Sequence, residues 1–500
     1  MAKLIIVGGG IAGLSAGIFA LENGFKVEIY EKNKNPGGEC TGWSRGGYHF
    51  DNCITYLEGV SKKSSMYEVW NQLCDFENMN IKQFENLSGF SKEGKRLLIS
   101  KDLDKLKENM INISKGDEGE IIKFINTIEK FKKVDLNSYR TKESNNIFNY
   151  ILYIHKIRRL KLDINYFKNI SLDEYLSRFN SEIIRNAFLN IVPSGNVALT
   201  LFELLGNYYR GNIGWPEGGS LRFSLCILKR FKKLGGKIVY NTKVESIEIK
   251  DGVCKGVVLE KGKKVSSDYV ISAIDAHYLL STLLDNKYKD KVLDYQFSNI
   301  EKFPLFSSVN IHIGVKCDLS NYYNSMTYDT EPFMIGNEII DKLSVRHYCF
   351  EKSFADEGKS VLGVNILGDF YDYFKELRES SYDKYKEEKE QIAEEVIGRL
   401  KDIYPKIIDK IDCYDVCTPL TFERYCGAYK GSWKAFIHNV NGKLLHHNGK
   451  IEGVKNLYIA GQWTYMPGGL SNAALSGKYA VQRLCKDNNI KFNSNSRESK

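Results

Sequence analysis

At 500 residues, with 43% hydrophobic and 27% charged side chains, the chain has the composition of a globular protein with room for two domains, which excludes fibrous and disordered classes. A formal charge of +9 is mild for this length. With no run of basic residues interleaved with aromatics, it permits attraction to an anionic surface but gives no footprint for nucleic acid.

The first element is the stretch Lys3 to Lys32. Leu4 to Val7 is a short apolar, β-branched run that reads as a buried parallel strand. It leads into Gly8-Gly9-Gly10-Ile11-Ala12-Gly13. Gly8 allows a tight turn, Gly10 lets a phosphate approach the backbone, and Gly13 lets the next helix pack closely on the sheet. Leu14 to Glu22 is helical in composition and Gly24 ends it; Val27 and Ile29 alternate on a second strand that Glu31 closes. The helix points its free N–H groups and its dipole at a pyrophosphate. Glu31 follows Gly8 by roughly 20 residues, where a carboxylate accepts hydrogen bonds from a ribose diol. Strand, glycines, helix and carboxylate in this order predict an ADP-binding site.

Next come the Gly37-Gly38-Glu39 loop and Gly47-Tyr48-His49-Phe50-Asp51. A dinucleotide fingerprint followed by a Gly-Gly loop and a G-[FY]-x-[FY]-D segment resembles the phytoene desaturase-type flavoproteins, which stand beside carotenoid isomerases and retinol saturases and, further off, the flavin amine oxidases. The resemblance implies FAD. In that family the Gly-Gly loop passes the FAD pyrophosphate and usually continues with Arg. Glu39 stands there in this chain, and a carboxylate beside a pyrophosphate is unfavourable unless it turns away.

From about Lys101 to Gly211, Lys, Asn, Ile and Leu dominate. Glu118 to Lys132 and Leu172 to Phe188 read as amphipathic helices. Tyr150 to Leu162 mixes basic and large apolar residues, a pattern that can lie on an anionic membrane surface or form a solvated helix with one core face. Trp215-Pro216-Glu217-Gly218-Gly219 opens a helix that runs to Leu234. Strands are predicted at Lys237–Tyr240, Val244–Ile249, Val253–Leu259 and Lys264–Ala273, with Asp251-Gly252 and Lys261-Gly262 as tight turns. This block again resembles the desaturase pattern, which implies that the backbone at Val244 meets the adenine edge and that Ser272-Ala273 returns the chain to the main sheet.

Phe306–Val315 and Ser360–Leu367 read as strands of a second sheet, and Tyr382–Leu400 as a charged helix. Thr418 to Tyr425 resembles the family segment close to flavin and substrate. Leu457–Ala460 is a buried strand ending at Gly461, and a helix starts near Gly469-Leu470. Ala473, Ala474, Gly477 and Ala480 allow that helix to pack closely. By resemblance its positive end faces the flavin pyrimidine, and Gln462 stands where many members have an acid.

The expected fold class is α/β: a Rossmann-type FAD-binding domain (a glutathione-reductase-like nucleotide fold) with a discontinuous mixed-sheet plus helical substrate domain. Residues 1–84, 213–303 and 455–487 form the first, 85–212 and 304–454 the second, and 488–500 a disordered tail. Gly8, Gly10, Ile11, Ala12, Gly13, Glu31, Lys32, Gly38, Glu39, Val244, Gly461, Gly469 and Leu470 are the expected cofactor-binding set. Tyr425 and Trp463 are candidate aromatic walls of the substrate pocket, and no metal site is expected.

No second GxGxxG is present, so electrons are expected to pass to or from an external acceptor or donor. The expected function is FAD-dependent redox or isomerase chemistry at carbon–carbon double bonds of an apolar polyene or isoprenoid. An amine-oxidase-like enzyme and a non-catalytic flavin-binding protein remain the alternatives. The 11 scattered cysteines read as reduced thiols; Cys413, Cys417 and Cys426, the closest group, match no metal spacing. The first apolar run is too short for a signal peptide, and no stretch reaches a membrane span. The expected location is therefore cytoplasmic, soluble or peripheral on a membrane.

Overall fold

The computed structural model describes residues 1–136, 151, 153–155 and 157–493. Tyr150, Leu152 and Lys156 of the basic and apolar segment, and residues 494–500 of the expected tail, lie outside the described residues. Among the described residues, no helix is long and apolar enough to cross a membrane.

Five parallel strands make the nucleotide sheet, in the spatial order Lys237–Val239, Lys26–Tyr30, Lys3–Val7, Tyr269–Ser272, Leu457–Ile459. The sheet is thus assembled from three distant parts of the chain. The central strand is buried on both faces, as its uninterrupted apolar run requires. On one face the Ile11–Glu22 helix lies against the Leu470–Asp487 helix. Small residues set that contact: a Cβ on Gly477 would stand 2.4 Å from the Ala12 carbonyl oxygen, and Ser15 Oγ donates to the Ala474 carbonyl at 2.6 Å. The first and last helices of the nucleotide fold are therefore locked together.

The second sheet has seven strands, in the order Ile411–Cys417, Ser307–Val315, Ser360–Gly368, Glu338–His347, Ser325–Ile335, Asn86–Lys92, Lys95–Ser100. All neighbours are antiparallel except Ser325–Ile335 with Asn86–Lys92. One face buries Ile311, Ile313, Leu343, Leu362 and Ile366 against the Tyr371–Ser380 and Tyr382–Ile403 helices. A separate helical layer closes on a Phe-rich core that includes Phe124, Phe131, Phe188 and Phe202.

Two expected elements divide in the structure. Leu172 to Phe188 is two helices, Leu172–Leu176 and Glu182–Leu189. The break is held by Asp117, whose carboxylate accepts from the Asn180 and Ser181 N–H groups at 2.9 and 3.1 Å, while Ser181 caps the second helix. Lys264 to Ala273 is likewise two strands. Lys263–Ser266 finishes an antiparallel meander with Val244–Lys250 and Val253–Leu259, and Tyr269–Ser272 joins the nucleotide sheet. Asp268 makes the corner, exchanging hydrogen bonds with Lys3.

Candidate functional site

The two glycine-rich helix starts meet at one cavity of about 500 Å³. Gly10 caps the Ile11–Glu22 helix and Gly469 the Leu470–Asp487 helix; neither cap makes a side-chain hydrogen bond, and neither first turn holds an acid. The Gly219–Lys233 helix is the contrast. Its start is filled from within the protein, with the Gly218 N–H on Glu351 at 2.7 Å and the Ser220 N–H on Asp51 at 2.6 Å. Two positive helix ends thus open on the cavity with no carboxylate capping either among the described residues.

The glycines fit a dinucleotide. Gly13 cannot carry a Cβ, which would lie 2.0 Å from the Gly8 carbonyl oxygen. Gly8 turns at φ +98°, where a Cβ would strike Ile274 at 2.7 Å. A Cβ on Gly10 would find its nearest atoms 3.9 Å away, and one on Gly469 would find nothing within 4 Å. A side chain at either position would therefore project in front of a helix start, into space that a pyrophosphate or a flavin ring can use.

Of the expected cofactor set, Gly10, Ile11, Ala12, Gly38, Glu39, Gly461, Gly469 and Leu470 line the cavity; Gly8, Gly13, Glu31, Lys32 and Val244 do not. Glu31 is buried behind the glycine loop, accepting from the Gly9 N–H at 2.7 Å and the Asn33 N–H at 2.8 Å. Each carboxylate oxygen has a second lone pair, which leaves capacity for ribose hydroxyls. Lys32 ties the strand end to another element through the Arg424 carbonyl at 3.0 Å. Val244 is buried at the start of the meander.

The two aromatic candidates separate. Trp463 lines the cavity, packed on Phe297 and Phe436 with centroids 5.2 and 5.1 Å away. Tyr425 is not a pocket wall: it is 54% exposed and lies against Arg424. Its helix, Pro419–Cys426, turns Leu420 and Phe422 inward, and the residue it brings to the cavity is Cys426.

Glu39 does not turn away from the cavity. It stands on the cavity wall beside Gln462, whose side-chain oxygen accepts from the Gly469 N–H at 3.3 Å. Burial, and then the negative charge of Asp275, push the Glu39 carboxyl up to about 8. Asp275 is itself pushed up to about 6 by burial, against hydrogen bonds that include the Tyr278 and Tyr429 N–H groups at 2.9 and 3.0 Å. At neutral pH Glu39 is thus held as the uncharged acid, which removes its repulsion of a phosphate.

The sign for pH dependence follows. The neutral form predominates in the folded protein below about 8 and is lost as pH rises through that value. FAD affinity of the apoprotein is therefore expected to hold up to about pH 7 and to fall as pH rises through about 8, by at most about tenfold per pH unit for one proton. Glu39→Gln should flatten that slope. Quenching of FAD fluorescence by apoprotein measures it, and an affinity constant across the range in the unmodified protein contradicts this account of Glu39.

The matching family model, described as flavin containing amine oxidoreductase, covers residues 11–485. The chain belongs to this family. Its cofactor is FAD and it is an oxidoreductase. Among curated relatives, it is 23% identical to the chloroplastic prolycopene isomerase of Daucus carota over 97% of this chain and 80% of that one. It is 24% identical to the 4,4'-diapophytoene desaturase (4,4'-diapolycopene-forming) of Methylomonas sp over 98% of this chain and 96% of the relative. In fold it is similar to an oxidoreductase from Methanosarcina mazei, with a TM-score of 0.61 at 17% identity, covering 96% of this chain and 100% of that one. The α/β FAD-binding class with a mixed second sheet is the fold of this chain.

Beyond the glycine helices the cavity runs on between the seven-stranded sheet and the helical layer, past Leu57, Leu87, Asn190, Thr200 and Leu204. Sequence reasoning missed its polar side chains on the sheet. His312 is 3% exposed, is pushed down to about 4 by burial, and sits 5.0 Å from Trp43 and 5.5 Å from Phe50. Arg346 and Lys434 are the basic groups of the wall. A signal was present: Val309-Asn310-Ile311-His312-Ile313 alternates strictly, placing Asn and His together on one face of a strand.

Proposed function

We propose that this oxidoreductase acts at carbon–carbon double bonds of a polyene- or isoprenoid-like chain, by desaturation, saturation or isomerisation. The observation that carries the reading is the continuity of the cavity. One space runs from the Gly10 and Gly469 helix starts to Leu57, Leu87 and Leu204, so a long molecule can lie from the cofactor into the second sheet's region. The likeness to a prolycopene isomerase and a diapophytoene desaturase, over nearly the whole chain, supports the same reading.

FAD bound here supplies hydride acceptance or donation. The protein's own contribution is alignment. The helix starts fix the cofactor end, Trp463 packed on Phe297 and Phe436 makes a rigid wall, and the buried surroundings keep water from the reacting carbons.

The test follows the flavin spectrum. Reduced enzyme is mixed with polyenes, oxidised enzyme with isoprenoids, retinoids and simple amines. A flavin response to an unsaturated chain is expected. Rapid reduction by a simple amine, with no response to any isoprenoid or retinoid, would establish the amine-oxidase reading instead; silence toward every compound would favour a non-catalytic flavin protein.

A further inference from the structure

The floor of the cavity is set by strand register. Ser325 pairs with Arg346, and His312 lies one strand further along the same row, beyond Gly363. In the neighbouring row Ser344, Asn365 and Asn310 stand side by side. All six line the cavity, while Ile311, Ile313, Leu343 and Leu362 of the same strands belong to the apolar core of the other face. The sheet thus turns a row of hydrogen-bonding groups toward the substrate space, beside Val345, Val364 and Leu367.

Some of these groups satisfy one another. Asn365 Nδ2 donates to Asn310 Oδ1 at 2.6 Å, and Asn310 Nδ2 donates to Asn52 Oδ1 at 3.1 Å. Arg346 and His312 are not satisfied in this way. Neither ring nitrogen of the buried His312 has a hydrogen-bond partner among the described residues. Arg346 donates through Nη1 to the Thr55 carbonyl and forms no ion pair among the described residues. Asp51, the acid that faces Arg346 at longer range, already accepts from the Ser220 N–H and Oγ–H at 2.6 and 2.7 Å and from the Cys53 N–H at 3.4 Å. A guanidinium has five N–H donors, and Thr55 accounts for one of them. Lys434, the second basic group of the wall, lies 4.5 Å from the Trp433 ring centroid and forms no ion pair among the described residues; Glu58 is the acid that faces it.

We propose that the substrate is an unsaturated amphiphile whose carboxylate seats on Arg346, rather than a bare hydrocarbon. A hydrocarbon laid over this floor would strip water from the Arg346 N–H donors that Thr55 does not take and return nothing, a cost paid in every binding event. A carboxylate matches the planar guanidinium in two parallel hydrogen bonds, and its carbon chain has Leu57, Leu87 and Leu204 to run along. This inference rests on the carbon-chain reading above for the rest of the substrate.

Its test needs binding and not turnover. Oxidised holoenzyme is titrated with farnesoate, farnesol and farnesene, and the perturbation of the flavin absorbance is followed. Farnesoate is expected to bind at least about tenfold more tightly than farnesol, with farnesene weakest. Arg346→Gln should abolish the acid's advantage and Arg346→Lys should restore part of it, with flavin content reporting that both variants fold.

Equal affinity for acid and hydrocarbon, an acid preference that survives Arg346→Gln, or no perturbation by any of the three overturns the proposal. If instead the carbon–carbon chemistry is wrong, the acid still binds through Arg346 while the flavin stays silent in turnover. The two failures are thereby distinguishable.

Discussion

Gly13→Ala is expected to purify colourless and to unfold earlier than the unmodified protein. The added Cβ would lie 2.0 Å from the Gly8 carbonyl oxygen, 3.1 Å from its carbon and 3.3 Å from the Ala273 Cβ. Gly8 has no room to retreat. Its N–H is bonded to the Tyr30 carbonyl at 2.9 Å, which ties it to the neighbouring strand. The helix must therefore move off the sheet, and its N-terminus leaves the position from which it meets a phosphate. Overpacking of this kind costs about 1–3 kcal/mol, and loss of flavin removes the further stabilisation that a bound ligand gives. The ratio of flavin to protein absorbance and the thermal unfolding midpoint measure both effects. Gly119→Ala is the control: it sits in the Glu118–Phe131 helix with nothing within 4 Å of a Cβ. That substitution should keep the yellow colour and gain up to about 1 kcal/mol of helix propensity. A yellow Gly13→Ala protein with full stability would refute the packing argument.

Asp51→Ala should have the second large effect. Asp51 ends the Tyr48–Asp51 strand and is buried, and burial pushes its carboxyl up to about 6 despite its hydrogen bonds. It accepts from Ser220 twice and from Cys53, and Ser220 Oγ in turn accepts from the Ile54 N–H at 2.8 Å. The carboxylate also occupies the place beside Gly219 where a Cβ would come within 2.3 Å of it. One side chain thereby ties the start of the Gly219–Lys233 helix to the Asn52–Leu57 segment of the cavity wall. Alanine leaves the Ser220 and Cys53 N–H groups without their acceptor. At about 1–3 kcal/mol for each buried donor left unmade, a loss on the order of 3 kcal/mol or more is expected, read by chemical denaturation. Flavin retention should fall with it, because Cys53 and Ile54 line the same cavity. Asp51→Asn keeps one carbonyl acceptor and should lose distinctly less. Equal stability of the alanine and asparagine variants would show that the network does not hold this wall.

The nucleotide half of the molecule was legible in the sequence because its signals are local. Gly8, Gly13 and Gly477 are required by a backbone angle or by contacts that admit no Cβ, and such a requirement dictates the residue type wherever the rest of the chain lies. The alternating apolar strands and the small-residue face of the last helix carry the same kind of information. The tertiary structure decided what depends on register and on facing partners. Alternation in the Ser307–Val315 strand marks two faces, but which face meets the helices and which meets the cavity is set by how the whole sheet packs.

Arg346 and Asn52 come from segments almost 300 positions apart and share a cavity wall because the Glu338–His347 and Ser307–Val315 strands both pair with Ser360–Gly368 and Asn310 of the latter strand donates to Asn52 Oδ1 at 3.1 Å. Tyr425 and Cys426 are neighbours in sequence, and only the direction in which their short helix lies decides that the cysteine reaches the cavity and the tyrosine reaches water. The charge state of Glu39 likewise belongs to the fold. A glutamate in an extended chain is an anion at neutral pH, and it is burial beside Asp275, a residue distant in sequence, that pushes this one toward the neutral acid on the cavity wall.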